Sequence, residues 1–377
     1  MTQVRGTWLE DEAAQAVLSA LEARGAQACF VGGCVRNALL DLPVKDLDIA
    51  TSARPEIVIE AAKALGFKPI PTGIEHGTIT IVGRGSVLEV TTFRKDVETD
   101  GRHAVIAFSD SLEEDAARRD FRMNALYADR RGYVTDPTGG VADIAARKIC
   151  FVGAADERIR EDYLRSVRLF RFAAQLGFGA EGIDPVAAKA AARLSYGLHH
   201  VSVERITAEM LKLLGAEQPV AVLQVMQDTG VLARILKGAS LPVLRAFLAL
   251  DSEAVAKERL AALMVFVRDV PLRLSKKEQR AFETLQRFAW SQQSGAELAY
   301  REGLGAAQAG VRLKAALCGD TPELGGLKAA AEARFPLAAK DLPMLKGRAL
   351  GDELKRAERA WIASGFQLTK AELLDKE

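Results

Sequence analysis

Lys45-Asp46-Leu47-Asp48-Ile49 is the most informative stretch of this sequence. Its two aspartates alternate with apolar residues, so in a β-strand both carboxylates share one face, roughly 6.6 Å apart along the backbone. Carboxylates placed in this way can reach a pair of Mg²⁺ ions, which prefer oxygen ligands. A lone Asp-x-Asp is most often a solvated strand edge or loop, so its meaning depends on what precedes it.

A tight glycine turn precedes this stretch. The apolar run at 28–31 predicts a buried strand, and Gly32 and Gly33 then let the chain turn into a helix that opens near Cys34. Glycines at this point admit a phosphate close to the backbone, and the free N–H groups of a helix start favour an anion. Arg36 adds a fork of hydrogen-bond donors. The combination predicts a phosphate site followed by an acidic strand.

A third carboxylate usually completes a two-metal site. Glu89 lies in the strand-like run Val87-Leu88-Glu89-Val90-Thr91 and is the candidate for this position. Together with Asp46 and Asp48 it forms the predicted catalytic set.

Five motifs follow one another in an order that is similar to the class II (bacterial-type) CCA tRNA nucleotidyltransferase and poly(A) polymerase family, within the DNA polymerase β superfamily. They are GGCVRN at 32–37, DLD at 46–48, EVTTFR at 89–94, RRDF at 118–121 and EDYLR at 161–165. The likeness is dense from about residue 28 to 213. Two positions depart from the family pattern, because Asn37 replaces an aspartate and Arg122 replaces a threonine.

The resemblance implies roles for individual residues. It places Asp46 and Asp48 on Mg²⁺, and it places the incoming ribose and phosphates on Arg119 and Asp120. An aspartate can accept a hydrogen bond from a ribose 2′-OH, which is how a protein distinguishes a ribonucleotide from a deoxyribonucleotide. For Arg118-Arg119-Asp120, a surface salt-bridge cluster is the alternative interpretation. The residues expected on the triphosphate are Gly32, Gly33 and Arg36.

The segment 161–172 predicts an amphipathic helix with Asp162 and Arg165 as neighbours at i,i+3. Adenine and cytosine each present an amine donor beside a ring-nitrogen acceptor, so one carboxylate and one guanidinium can recognise both bases. The resemblance extends nucleotide binding to Arg168 and Arg171. Because each i,i+3 step falls about 60° short of a full turn, Arg171 is expected to face away from Asp162. A solvated or phosphate-facing arginine is the alternative there.

The chain's organisation changes near residue 150, where short β-rich runs give way to alanine- and leucine-rich helical patterns. The resemblance therefore predicts an α+β fold with a small mixed-sheet nucleotidyltransferase head at 1–148, a base-recognising helical neck at 149–215 and a tRNA-binding helical body and tail at 216–377, in an elongated molecule. The polar run at 95–103 predicts a mobile loop. The sequence around Ser202 predicts a capped start for a neck helix.

Composition fits such a protein and excludes some alternatives. The 377 residues leave room for two to four domains, and 51 basic against 50 acidic residues mean that nucleic-acid binding needs a local basic patch. The four cysteines show no zinc spacing, which predicts reduced thiols in a cytoplasmic protein. Neither a signal peptide nor a run of about 18 apolar residues is found, so we expect neither export nor membrane insertion.

The resemblance to this family implies template-independent addition of CCA to the tRNA 3′ end from CTP and ATP, with Mg²⁺ as cofactor, and the residues of the predicted site agree with it. The same head serves poly(A) polymerases, so RNA 3′ adenylation or a partial A-adding activity is the alternative. A non-catalytic RNA-binding protein is a third class, which the complete set of carboxylates disfavours. Basic residues in the body could meet tRNA phosphates or simply form an exposed helix face; they are Arg273, Lys276, Lys277, Arg280 and Arg287.

Overall fold

The computed structural model describes residues 2–99 and 104–375. The described chain forms two compact units, 1–237 and 238–377. The first unit opens with strands and short helices. Their bounds are α1 Glu12–Glu22, β1 Ala28–Val31, α2 Gly33–Leu39, β2 Leu47–Thr51, α3 Pro55–Ala64, β3 Lys68–Gly73, β4 Thr78–Gly83, β5 Ser86–Thr92, β6 Arg94–Thr99, β7 Ala104–Phe108, α4 Leu112–Ala117, β8 Tyr127–Ala128, β9 Val134–Thr135 and α5 Gly140–Ala145.

Seven of these strands form one mixed sheet in the order β3-β4-β5-β2-β1-β8-β9. Strands β2 and β5 run parallel, whereas β1 pairs antiparallel with both β2 and β8. Strand β1 is buried along its whole length, as its continuous apolar run predicts. The parallel register sets Asp48 directly beside Glu89. The predicted mixed-sheet head is confirmed.

The segment predicted as a mobile loop is largely a hairpin. Strands β6 and β7 pair antiparallel as a separate two-stranded sheet, with a register shift between Asp96 and Glu98. The loop prediction is therefore wrong for 95–99, because backbone hydrogen bonds to a partner strand order a segment that has no apolar periodicity of its own. The remaining part of the prediction, at 100–103, lies outside the described residues.

Helices make up the described elements after β9. In the first unit they are α6 Ala155–Glu161, α7 Leu164–Gln175, α8 Pro185–Leu194, α9 Val203–Leu214, α10 Pro219–Asp228 and α11 Val231–Ile235. Helix α9 begins after Ser202, as predicted for the neck helix, although the Ser202 side chain makes no capping hydrogen bond. Helices α7 and α9 pack against each other, and they carry the charged residues Arg168, Arg171 and Glu209.

All secondary-structure elements in the described part of the second unit are helices. Its helices are α12 Leu241–Leu250, α13 Ala256–Leu263, α14 Lys276–Ala289, α15 Gly295–Glu302, α16 Leu304–Cys318, α17 Leu327–Glu332, α18 Gly347–Ala363 and α19 Lys370–Leu374. Phe288 and Leu298 belong to one buried cluster, and Leu337 and Trp361 to another. In the described part of the chain, no helix is both long and apolar enough to cross a membrane.

Candidate active site

The predicted glycine turn joins β1 to α2. Gly32 has φ 72° and ψ −117°, a backbone conformation that residues other than glycine rarely adopt. Its N–H donates to the Leu126 carbonyl at 3.0 Å. A Cβ atom at this position would also lie 3.5 Å from Arg119 Nη1. Helix α2 then begins at Gly33, so the predicted strand, turn and helix are confirmed.

The acidic stretch lies against the same turn. Asp46 precedes β2 and Asp48 lies within it. Both line a cleft of about 440 Å³ together with Gly33 and Arg36. The structure thus brings together the phosphate-type turn, the arginine and the carboxylate pair that the sequence predicted.

Asp48 is a cleft carboxylate whose charged form is disfavoured by its surroundings. Burial, the neighbouring Glu89 and, more weakly, Asp46 raise the pKa of Asp48 to about 6. Like charges held together in this way favour a bound cation, and Mg²⁺ is typically held by one or two carboxylates plus substrate phosphates. Across residues 2–99 and 104–375, no three His, Cys, Asp or Glu side chains gather closely enough to hold a metal ion by themselves. The carboxylate oxygens of Asp46 and Asp48 are of the ligand type that Mg²⁺ prefers.

Arg36 is held in place by two amides. Its Nε and Nη2 donate to Asn37 Oδ1 at 3.1 and 2.8 Å, and its Nη1 donates to Asn124 Oδ1 at 2.6 Å. Burial and the nearby Arg171 lower the pKa of Arg36 to about 10, which leaves the guanidinium charged at neutral pH. A partly buried cation whose hydrogen-bond partners Asn37 and Asn124 are neutral is well suited to an incoming anion.

A charged network continues from this arginine into the helical part of the unit. Asn124 Nδ2 donates to Asp120 Oδ1 at 2.9 Å, and Arg168 donates to Asp120 Oδ2 from Nε at 2.9 Å and from Nη2 at 2.5 Å. Asp120 is buried, but Arg168 and the donated hydrogen bonds outweigh that burial and lower its pKa. Both oxygens of Asp120 are thus already bonded within the protein, and Arg168 connects the head to α7.

Arg171 is a buried member of this network. Its Nε donates to Glu209 Oε2 at 2.6 Å and its Nη1 donates to Gln175 Oε1 at 3.0 Å, while its guanidinium carbon lies 3.5 Å from the Phe172 ring centre. Gln175 in turn lines the cleft. The sequence suggested that Arg171 binds the nucleotide or faces solvent or phosphate, and neither interpretation anticipated its bond to Glu209.

Glu209 is a residue that the sequence reasoning missed. It accepts from Arg171 and lies 3.7 Å from Arg168 Nη1. A signal was present, because Glu209 falls between Ile206, Met210 and Leu213 on the buried face of α9. A carboxylate on the apolar face of an amphipathic helix indicates a buried cationic partner, although the sequence does not say which one.

Asp115 is a second missed residue, and it orients Arg119. It is 1% exposed. Arg119 donates to Asp115 Oδ2 at 2.9 Å and to the Tyr127 hydroxyl at 3.1 Å, and Arg118 donates to Asp115 Oδ1 at 2.6 Å. The three residues predicted as one group, Arg118, Arg119 and Asp120, therefore have different partners. Both arginines bind Asp115, whereas Asp120 binds Arg168.

We expect the unfolding free energy to fall at acidic pH in part because Asp115 becomes protonated. Burial opposes its charge, but Arg119 and Arg118 outweigh burial and hold the pKa of Asp115 below its usual value. An aspartate has a pKa of about 3.9 when unfolded, so this stabilisation is complete above that pH and is lost as the pH falls through the lower folded value. Urea unfolding between pH 7 and 3 should show a smaller acid loss for Asp115→Asn than for the wild type. The exposed Asp110→Asn serves as control, and equal acid slopes for all three proteins would contradict the assignment.

The predicted helix over 161–172 is wrong at its start. Helix α6 ends at Glu161, and α7 begins at Leu164, so Asp162 lies between two helices instead of on the same helical face as Arg165. Its Oδ1 accepts the Leu164 N–H at 3.1 Å. Aspartate prefers to satisfy a free donor at a helix start over a place inside a helix, which explains the break.

Asp162 and Arg165 have separate partners in this structure. Arg205 donates to Asp162 Oδ2 at 2.6 Å. Arg165 donates from Nη1 to Glu161 Oε2 at 2.5 Å and to the Arg158 carbonyl at 3.0 Å. The predicted pair is close in sequence, but each member is held by a different charged group.

Two family models match the chain. The Poly A polymerase head domain matches residues 28–150, and the "probable RNA and SrmB-binding site of polymerase A" matches residues 182–241. The chain is 46% identical over 224 residues to a CCA-adding enzyme of Geobacillus kaustophilus, and 43% identical over 216 residues to one of Geobacillus stearothermophilus. These matches cover 59% and 57% of this chain, but only 54% and 52% of the relatives, so the chain spans about half the length of the curated relatives it matches.

A solved structure is similar over nearly the whole chain. The CCA-adding enzyme of Bacillus stearothermophilus in complex with CTP is 32% identical, has a TM-score of 0.74, and is matched over 94% of each chain. The chain belongs to the bacterial-type CCA tRNA nucleotidyltransferase and poly(A) polymerase family. A tRNA nucleotidyltransferase complexed with a primer tRNA and an ATP analogue is 21% identical, with a TM-score of 0.64, and shows the fold alone.

Two departures from the family pattern now have structural descriptions. Asn37 Oδ1 accepts hydrogen bonds from Arg36 and its Nδ2 donates to the Pro43 carbonyl at 2.9 Å, but the side chain carries no negative charge. Arg122 lies on a partly exposed turn, with Nη1 4.0 Å from Asp143 Oδ1. Asn37 therefore leaves the cleft more positive than an aspartate in that position would.

Proposed function

We propose that this protein adds C, C and A to the tRNA 3′ end from CTP and ATP and releases pyrophosphate, in the cytoplasm. The observation that carries the proposal is the cleft in which Asp46 and Asp48 face Gly33 and Arg36. The CCA-adding relatives and the 32% identical enzyme solved with CTP support the same activity. Poly(A) polymerase is the second candidate, because the head domain model that matches this chain carries that name.

The reaction follows from what these side chains can bind. The 3′-hydroxyl of the primer attacks the α-phosphorus of the nucleotide in line, and the bond to pyrophosphate breaks. Asp46 and Asp48 would hold Mg²⁺, with Glu89 beside them, and the metal would stabilise charge on the attacking and leaving oxygens. Arg36 and the N–H groups around Gly33 bind and orient the triphosphate in this proposal.

The remaining predicted nucleotide residues divide into two groups in this proposal. Asp120 and Arg168 order the nucleotide site through the hydrogen bonds that reach Arg36, and Arg171 joins this network through Glu209. Arg119 is held by Asp115 and lies next to Gly32. Asp162 and Arg165 recognise the base, which requires Asp162 to exchange its bond to Arg205 for the amine of cytosine or adenine. This assignment keeps 1–148 as head, 149–215 as neck and 216–377 as the tRNA-binding body and tail.

We expect Asp162→Ala to erode selection of CTP and ATP against UTP and GTP more than Arg171→Ala does. In the variant, the exocyclic amine of cytosine or adenine loses its acceptor. A polar group left unsatisfied in a binding site costs about 1 to 3 kcal/mol, so selectivity should fall roughly tenfold to a hundredfold. Arg205→Ala is the matched control, since it removes the partner of Asp162 without removing the acceptor. Misincorporation is measured with each nucleotide separately. Equal loss of every rate with unchanged preference would show that Asp162 only holds the start of α7.

The activity is tested by incubating the purified protein with tRNA transcripts that lack CCA, CA or A, each with CTP alone and ATP alone. We expect two additions of C to the first transcript, one to the second, and one addition of A to the third. A generic oligoribonucleotide should remain unextended. Long adenosine tails on that oligoribonucleotide would identify a poly(A) polymerase instead.

A further inference from the structure

The second unit carries an exposed pair of aromatic rings. Phe266 and Trp290 are 58% and 59% exposed, with ring centres 5.8 Å apart and planes inclined by 55°. They border a cavity of about 740 Å³ that Arg268 and Arg287 also line. Large aromatic side chains that remain in water next to a cavity mark a binding surface, because burying such rings is strongly favourable.

The pair is held rigidly by the helix below it. Trp290 Nε1 donates to the Val265 carbonyl at 2.9 Å, which fixes the indole while more than half of its surface remains exposed. Gln286 is buried and donates to the carbonyls of Met264 and Val267 at 2.6 and 2.8 Å. These bonds order the turn that carries Phe266 without any ligand, so a partner would bind at little conformational cost.

Charge on the same helix distinguishes between possible occupants. The exposed residues of α14 include one carboxylate, Glu283, and four basic side chains. The basic residues are Lys276, Lys277, Arg280 and Arg287. This row extends roughly 20 Å along the helix and ends at Trp290. A basic row that leads to an aromatic pair matches single-stranded nucleic acid, whose phosphates follow the charges while a base stacks on a ring.

We propose that Phe266 and Trp290 form a stacking platform for an unpaired base of the RNA primer, with its backbone along the basic face of α14. Asp269 and Glu283 line the same cavity and supply acceptors for an exocyclic amine of that base. The inference rests on the proposed function in that the RNA is the tRNA to be extended. It adds a contact to an unpaired base, which the basic residues alone do not provide.

The test measures tRNA affinity with the full-length protein and a tRNA transcript that lacks CCA. Stacking on one aromatic ring has an effect of about fivefold to a hundredfold on affinity, so Trp290→Ala should raise Kd about tenfold or more, and Trp290→Phe less. Met344→Ala, which removes another exposed apolar side chain of this unit, should leave Kd unchanged. Binding should quench the fluorescence of wild-type protein, and this quenching should be lost in Trp290→Ala although Trp8 and Trp361 remain.

The salt dependence separates stacking from charge. Arg287→Ala should lower the slope of log Kd against log salt by about 1, whereas Trp290→Ala should leave the slope unchanged. In steady state, Trp290→Ala should raise KM for tRNA while kcat and KM for CTP stay as in the wild type. If Trp290→Ala fails to fold, Phe266→Ala gives the affinity, salt-dependence and steady-state readouts from the other ring.

Three results would overturn the platform. One is an unchanged Kd in both alanine variants, and another is equal affinity of the wild type for the tRNA and for a blunt RNA duplex without unpaired bases. The third is self-association of the wild type that Trp290→Ala abolishes, which would assign the rings to a protein contact. Failure of the proposed function is distinguishable, because the wild type would then quench with tRNA yet add no C or A.

Discussion

Asp48→Asn is expected to lower kcat for addition of C about a thousandfold or more, while tRNA affinity and the unfolding free energy stay close to the wild type. Asparagine keeps the size of the side chain but removes the charge that binds metal, and the stabilisation of transition-state charge by a metal ion contributes several kcal/mol. Asp46→Asn should have a comparable effect. The measurement is single-turnover incorporation of CTP at saturating tRNA and Mg²⁺.

Two further variants make this result specific. Glu89→Gln changes the carboxylate that lies beside Asp48 in the parallel register, and a smaller loss is expected because Glu89 does not line the cleft. Glu60→Gln, on the exposed face of α3, should have no effect. Near-normal turnover of Asp48→Asn at ordinary Mg²⁺ concentration would contradict the metal assignment.

Arg171→Met should lower the unfolding free energy by about 3 kcal/mol. The substitution leaves Glu209 buried without its closest cation, and breaking a buried ion pair from one side typically costs 3–5 kcal/mol. Arg168 remains 3.7 Å from the other oxygen of Glu209, so the lower end of that range is expected. Urea unfolding at pH 7 is the measurement.

A double-mutant cycle isolates the pair. Arg171→Met combined with Glu209→Met removes both charges, so the double variant should be more stable than the sum of the single effects predicts. Arg193→Met breaks the exposed pair with Asp156 and should cost less than about 1 kcal/mol. If Arg171→Met costs no more than Arg193→Met, the buried pair has no structural role.

Local patterns carried most of what the sequence predicted correctly. The strand before Gly32 and the turn itself depend on neighbouring residues, and the structure confirms both. Asp46 precedes β2 instead of lying within it, but it lines the same cleft as Asp48. The proximity of Asp48 and Glu89 is different, because it depends on two strands far apart in the chain becoming parallel neighbours. The sequence offers Glu89 only as a carboxylate in another strand-like run, and periodicity does not show which strands become neighbours.

The incorrect predictions have two physical causes. A helix was extended through Asp162, where a carboxylate bonds the first free N–H of α7 and interrupts the helix. The segment after Arg94 was interpreted by its own polarity, although pairing with β7 decides its structure. The two missed carboxylates differ in cause. Glu209 meets Arg171 only when α7 and α9 pack together. Asp115 pairs with Arg118 and Arg119 at i,i+3 and i,i+4, so its partners are local, and what the sequence does not indicate is that this cluster is buried.

The most direct test of the account is the sequence of the product made from a tRNA transcript that ends at the nucleotide before CCA, with all four nucleoside triphosphates present. The account predicts that each extended molecule gains C, C and A and that growth then stops, without added U or G. Products that continue into an adenosine tail, or that carry the four nucleotides without preference, would contradict it.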